Sequence, residues 1–377
     1  MTTTTLPESL SQKFKFWSFV SMVLLVFVHG YNLELRYLQP WTAPPEPLTF
    51  TSFTEYWLAN GLLRFRIPML FIISGYLYAW YDATPNRARI AKRARTLLLP
   101  YVIWRAVGLT VLFLFEEFTY TRGLVERSHI AQIDDTRMFV HDYHWYEVLF
   151  RWLLMPASYQ LWFIRVLFIY NAAYPLIRTW VLHRTGRWIF FSIAFLLWLA
   201  TAQFLLIDGE GLLFFSLGVW IQKSGFSIVS NGYQKKYAIA WVVFILAATL
   251  KTWLAFEGPA RLGNSAFTLM TLLHKITVVS GLVACWFGLD FLVQFFMRQK
   301  WFVWLSSFSF IIYALHAPAV AVLIDGMFDW LAPWPGYRML SFVLLPLMLC
   351  ACCVLIGLLI RTLAPKTYAV LTGGRGF

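Results

Sequence analysis

Met339-Leu340-Ser341-Phe342-Val343-Leu344-Leu345-Pro346-Leu347-Met348-Leu349-Cys350-Ala351-Cys352-Cys353-Val354-Leu355-Ile356-Gly357-Leu358-Leu359-Ile360, held between Arg338 and Arg361, contains no charged side chain. At about 1.5 Å of rise per residue, such a run crosses the roughly 30 Å of hydrocarbon in a bilayer. A surface helix of a soluble domain would keep one polar face, and this run has none. Similar runs recur along the chain, some carrying a few polar groups that a bundle can turn inward. On this basis we read ten membrane-spanning helices, over 15–34, 58–80, 96–116, 160–181, 187–207, 209–222, 237–255, 266–292, 301–324 and 337–362. The sixth is short and carries Gly211 and Gly218. The expected fold is an all-α integral membrane protein with about ten transmembrane helices.

Composition agrees. The 377 residues are 60% hydrophobic, 19% aromatic and only 13% charged, about half the charge of an average soluble chain. So little charge cannot coat a water-facing surface, but it suits one that faces lipid. The 19 Trp and 18 Tyr suit the two membrane interfaces. A net charge of +13 could point to nucleic acid, yet the basic residues are spread along short loops between apolar runs. They read as topology signals, and no nucleic-acid partner is implied. Cys285, Cys350, Cys352 and Cys353 lie inside apolar runs and suggest neither disulfides nor a metal site. The first run, Phe16 to Val28, could pass for a signal peptide, but His29-Gly30-Tyr31-Asn32 follows it without a small-x-small cleavage site. It is kept as a helix.

Charge orients the spans. With the N-terminus inside, the inner loops and tails hold 18 of the 31 basic residues, and the outer loops hold eight, Lys251 among them. Of the 18 acidic residues, 15 fall outside, and only Glu8 and Asp82 are clearly inside. This positive-inside bias puts both termini in the cytoplasm and the chain in the cell (inner) membrane as a multi-pass protein. The expected organisation is a tail over 1–15, a membrane domain over 16–365 with an outer segment at 117–159, and a tail over 366–377. In the outer segment, Tyr146 to Met155 has apolar residues at helical spacing and should lie along the interface. The same segment holds His129, His141, His144, Asp134, Asp135 and Asp142. Their spacing does not put three ligands on one helical face, so no metal is expected.

A titratable side chain inside a bilayer costs at least ~2–3 kcal/mol unless it is paired or faces a cavity. His29, Arg64, Arg66, Arg105, Arg165, His274, Lys275 and His316 are therefore the informative residues. His29 stands about 21 Å up a helix that starts inside, and His316 reaches a similar height. Arg64, Arg66 and Arg165 come a few residues into helices that start outside. Snorkelling to the headgroups is an alternative for the arginines, and a structural hydrogen bond for each histidine. His274 and Lys275 are adjacent and point different ways, so one of them can face lipid. Two histidines and three arginines at one depth nevertheless describe a buried polar cavity. A neutral imidazole there can take a proton from a hydroxyl, and arginines can hold an oxyanion or an acidic donor. On the inner side, Arg87-x-Arg89-x-x-Lys92-Arg93-x-Arg95 could hold the phosphates of a nucleotide-like cofactor or contact anionic lipid.

Six stretches resemble the acyltransferase-3 family of integral membrane O-acyltransferases. They are Val26-Phe27-Val28-His29, Arg64-Phe65-Arg66-Ile67-Pro68 running on to Ile73-Ser74-Gly75-Tyr76-Leu77, and Lys92-Arg93-Ala94-Arg95-Thr96-Leu97-Leu98-Leu99-Pro100-Tyr101. The others are Leu161-Trp162-Phe163-Ile164-Arg165, Phe214-Phe215-Ser216-Leu217-Gly218, and Ser309-Phe310-Ile311-Ile312-Tyr313-Ala314-Leu315-His316-Ala317-Pro318. Each is weak alone, but they follow the family order across residues 16–365. Ser18 stands where many members carry a cation, and Thr96 where others carry the second arginine of the basic block. The resemblance implies transfer of an acyl group, acetyl or succinyl, from cytosolic acyl-CoA to a hydroxyl of an extracytoplasmic glycan or glycolipid. It implies His29 as the catalytic residue; our own reading sets Arg64, Arg66 and His316 in the catalytic group with it, and Arg165, Trp162 and Tyr313 toward the acceptor. Lys92, Arg93 and Arg95 would bind the donor. Membrane lipids are implied partners, and self-association is left open. A transporter or flippase for a lipid-linked sugar or organic anion would also want central cations. It would often show internal repeats, and none is visible here.

Overall fold

The computed structural model describes residues 6–31, 38–204, 207–229 and 235–375, with the side chains of 235 and 236 excepted. The end of the first predicted span at 32–34, the outer-loop residue Arg36, the inner-loop side chains Lys235 and Lys236, and part of the fifth span's end at 205–206 lie outside them. In chain order the helices are α1 (Glu8–His29), α2 (Phe50–Trp80), α3 (Asn86–Glu116), α4 (Thr119–Ser128), α5 (Trp145–Leu153), α6 (Tyr159–Ala172), α7 (Tyr174–Leu182) and α8 (Gly186–Leu199). They continue with α9 (Gly209–Ser224), α10 (Lys235–Leu262), α11 (Ser265–Gly288), α12 (Asp290–Met297), α13 (Lys300–Ser306), α14 (Ser309–Leu331), α15 (Tyr337–Leu363) and α16 (Pro365–Thr372). Among the described residues there is no β-strand, only two isolated bridges.

A helix stands at each of the ten predicted segments. Seven are long and apolar enough to cross a bilayer, and the number is eight if α6 and α7, bent by 64° at their junction, make one span. Pro175 at the start of α7 explains the bend, because its ring cannot continue the hydrogen-bonding of α6. The ninth predicted span is broken at Ser307 and Phe308 into α13 and α14. The Ser306 hydroxyl donates to the Val303 carbonyl and competes there with the helical ladder. Lys251 corrects the loop count. It lies fully buried inside α10, which runs on to Leu262.

Contacts group the chain into two units, one of residues 1–21, 37–92 and 166–306, the other of 22–36, 93–165 and 307–377. In the first unit α2 and α9 approach through glycine. A methyl group at Gly75 would strike the Phe215 carbonyl oxygen, and one at Gly218 the Ile72 carbonyl oxygen. Small residues let membrane helices pack backbone to backbone, where burial from water supplies no drive. In the second unit Leu109, Leu112, Leu124, Val125, Ile130 and Val322 form one buried apolar cluster under the outer segment.

That segment carries a helix where the sequence predicts one, with an exposed apolar face. In α5, Trp145, Tyr146, Leu149, Phe150 and Leu153 are exposed, while Arg151 is buried and donates to the Ile130 carbonyl at 2.5 Å. His141 ties the segment to the end of α3. Its Nδ1 donates to Glu116 at 2.6 Å and its Nε2 to Glu117 at 3.0 Å, and its ring stacks on Phe113. Both nitrogens can donate together only in the imidazolium form. The Glu116 carboxylate, then Glu117, accordingly hold the His141 pKa above its ordinary value.

Two outcomes follow from this packing. Gly75→Ala or Gly218→Ala should destabilise the protein by about 2 kcal/mol or more through overpacking. Gly123→Ala, with open space around it, should be neutral or stabilising by up to ~1 kcal/mol; thermal unfolding in detergent compares them. A raised histidine pKa gives stability that is complete below about 6.5 and lost as pH rises through the folded-state value. Hydrogen exchange over residues 138–144 should therefore quicken from pH 6 to pH 9 beyond the intrinsic rate, and His141→Gln should abolish that excess.

Candidate active site

The second unit assembles its polar centre around a broken helix. His316 is fully buried, and its Nδ1 lies 2.9 Å from the Ile312 carbonyl oxygen. A carbonyl only accepts, so Nδ1 carries the proton and a neutral ring keeps its lone pair on Nε2. One residue later the helix breaks, with Ala317 extended at φ −120° and ψ 140°, followed by Pro318. Proline has no N–H to return to the carbonyl four residues back, which belongs to Ala314. The Gln160 side chain replaces it, donating from Nε2 to Ala314 at 3.1 Å and to Ala317 at 3.0 Å. The Tyr313 hydroxyl donates in return to the Gln160 carbonyl at 2.7 Å. Gln160 is only 2% exposed, so the first turn of α6 and the break in α14 form one locked piece.

His29 completes this piece. It is the last residue of α1 and is half-buried. Its ring stacks on His316, with centroids 5.5 Å apart and planes 20° apart, and the Tyr159 ring meets it edge-on at 5.0 Å. Behind it, Gly30 packs against α15 so closely that a Cβ would lie 2.8 Å from Pro346 Cγ. The backbone that aims His29 thus depends on a residue with no side chain.

The other predicted residues divide between the units. Arg165 and Trp162 lie half-buried in α6. Arg165 is near enough to Arg105 for the two charges to act on each other. Arg105 is 4% exposed, donates to the Tyr101 hydroxyl at 2.8 Å, and keeps Nε and Nη2 without a hydrogen-bond partner. Arg93 is half-buried and Arg95 exposed at the start of the same unit's α3. Arg375 joins them from the C-terminal end and donates to the Thr96 carbonyl at 3.1 Å. Burial and then the nearby Arg93 charge push the Arg375 pKa down to about 10. Lys92 is exposed and belongs to the first unit.

Arg64 and Arg66 also belong to the first unit. A π-helical turn over Trp57–Gly61 and a 3-10 turn over Leu62–Phe65, which contains Arg64, alter the winding of α2 just before Arg66. Arg64 donates to the Leu38 carbonyl at 2.5 Å, and buried Arg66 to Leu63 at 2.9 Å. Lys251 donates to the Asn60 carbonyl at 2.6 Å and stands 3.4 Å from His274. Lys275 lies over the Trp198 ring at 4.7 Å. Both His274 and Lys275 are buried, so the expectation that one faces lipid gives way. They leave α11 toward different partners, but each finds a polar or aromatic one inside the unit.

A family profile described as an acyltransferase domain matches residues 14–360. The chain belongs to this acyltransferase-3 family. It is accordingly an O-acyltransferase, and its apolar helices make it a multi-pass protein of the inner membrane. The chain is also similar to the succinoglycan biosynthesis protein ExoH of Rhizobium meliloti (strain 1021), at 26% identity over 363 residues, covering 93% of this chain and 89% of that one. No solved structure matches. Among the described residues no group of three or more His, Cys, Asp or Glu could hold a metal ion.

Within this acyltransferase, sequence reasoning missed Tyr159, Gln160 and Arg375. Gln160 could have been found by asking what satisfies the carbonyls freed by Pro318. Gln160→Leu keeps the volume but removes the donor, and an unsatisfied buried carbonyl costs ~1–3 kcal/mol. The variant should lose about that much stability, together with at least about tenfold in transfer rate. Unfolding midpoints and initial rates on the same preparation check both.

Proposed function

We propose that this acyltransferase moves an acetyl or succinyl group from a cytosolic coenzyme A thioester to a hydroxyl of an extracytoplasmic carbohydrate, with His29 as general base. The observation that carries the reading is the stacked His29–His316 pair, held beside a helix break that Gln160 locks. His29 takes the hydroxyl proton as the oxygen attacks the thioester carbonyl. The C–O bond forms, and the oxyanion draws on nearby cations such as Arg165. Collapse breaks the C–S bond, and the thiolate recovers the proton from His29 to leave as coenzyme A. His29 ends α1, and the unpaired carbonyls of a helix C-terminus favour the transient imidazolium. His316, fixed as the Nδ1–H tautomer, orients the His29 ring and presents a neutral face to it.

The donor's phosphates suit the cationic group of Arg93, Arg95 and Arg375 on the inner side, with Lys92 available nearby in sequence. Guanidinium groups bind phosphate oxygens bidentately, which a lysine cannot do. Carbohydrate as acceptor is supported by the similarity to a succinoglycan biosynthesis protein. Family membership favours this reading over a transporter, which would move a substrate without consuming a thioester.

A positioned general base contributes roughly 10²–10⁴ in rate. His29→Ala in lipid nanodiscs should therefore lower acceptor-dependent thiol release from acetyl- or succinyl-coenzyme A by about that factor, at wild-type yield. Normal transfer by that variant would rule out His29 as the base.

A further inference from the structure

The first unit contains a cavity that the transfer chemistry leaves unused. It measures about 60 Å³, room for roughly four or five waters. Asp208 and Glu210 from the start of α9 line it, with His274 and Lys275 from α11. The Trp198 indole N–H donates to Glu210 at 3.4 Å while Lys275 lies over the same ring, so acid, base and indole are braced together. The Asp208 carboxylate caps α9 through the Gly211 N–H at 2.6 Å. Gln39 and Gln203 add amide groups to the wall. At the edge stands Trp41, an indole 37% exposed. The charge-derived topology places 39–41 in an outer loop and 201–203 and 208–210 at the outer ends of the fifth and sixth predicted spans.

This wall selects a class of ligand. A fatty chain would want an apolar lining. The phosphates of an acyl-CoA donor would meet two carboxylates and be repelled. A hydroxyl is both donor and acceptor, so a sugar edge can give hydrogen bonds to Asp208 and Glu210 and take them from Lys275 and the amides. The Trp41 ring offers an apolar face for the C–H side of the sugar. Its cation-attracting quadrupole does not suit an anionic group.

We infer that this cavity is the docking subsite for a neutral hexose unit of the acceptor glycan. The inference rests on the reading that the acceptor is a carbohydrate arriving from outside. One unit of a larger glycan would seat its hydroxyl-rich edge here, so that these residues set acceptor affinity and leave donor binding alone.

The test is saturation-transfer NMR on the full chain in lipid nanodiscs, with methyl β-glucoside, methyl β-galactoside and coenzyme A as separate probes. The wild type should give a signal with at least one glycoside. Trp41→Ala and Glu210→Gln should each weaken glycoside affinity about tenfold or more, while the coenzyme A signal holds. Trp334→Ala, an exposed indole of the other unit, should change nothing. If Glu210→Gln fails to fold, Trp41→Ala alone decides. A wild type silent with both glycosides, or a signal indifferent to the variants, overturns the subsite. Absence of thiol release with the glycoside signal intact counts instead against the transfer reading and leaves the subsite standing.

Discussion

The Gln160 amide donating to the carbonyls of Ala314 and Ala317 is the interaction on which the polar centre depends. Inside a bilayer no water can rescue a carbonyl that has lost its helical partner, and each such group costs several kcal/mol. A proline in the middle of α14 creates that debt one turn from His316. With a leucine at 160 the freed carbonyls would have to rewind the helix or draw in water, and His316 would move with them. The Tyr313 hydroxyl returns a bond to the Gln160 backbone, so break and clasp define one another. The His29 ring is then stacked against a rigid neighbour.

Glycine contributes the complementary part of the design. At Gly30 the chain passes too close to Pro346 for a side chain, directly after the histidine it positions. At Gly75 and Gly218 two backbones touch in the first unit, which brings the Ile-Ser-Gly-Tyr-Leu and Phe-Phe-Ser-Leu-Gly blocks together. Those motifs carry little chemistry of their own. Their content is steric: they let the second half of α2 run against α9 backbone to backbone, while the altered winding that holds Asn60 and Arg64 packs on α10 and α11.

Much of this was legible in the sequence because lipid leaves few options. Apolar run length gave the helices, and loop charge gave a consistent orientation. Equal residue counts into inside-start helices put His29 and His316 at one height. That pairing survives although the ninth run is split into α13 and α14. What stayed hidden depends on which face of a helix meets which neighbour. Lys251 looked like a loop cation because its partner, the Asn60 carbonyl, is 191 positions away. Arg375 looked like tail charge until the end of the chain was seen to fold back on Thr96. Gln160 and Tyr159 carry no charge near neutral pH, so a search for imidazoles and cations passed over them.

The two polar linings differ in charge in a way that fits a two-substrate transfer. The second unit gathers guanidinium groups, with Arg105 retaining unpartnered nitrogens and Arg375 crowded by Arg93. Such an excess of buried cation is costly alone and is relieved by an anion. The first unit's cavity sets two carboxylates against one lysine, a lining that disfavours a phosphate and can hydrogen-bond hydroxyls. A phosphate-bearing donor and a neutral sugar therefore face opposite preferences. If the two proposed sites hold those substrates, charge as well as shape would keep each out of the other's place.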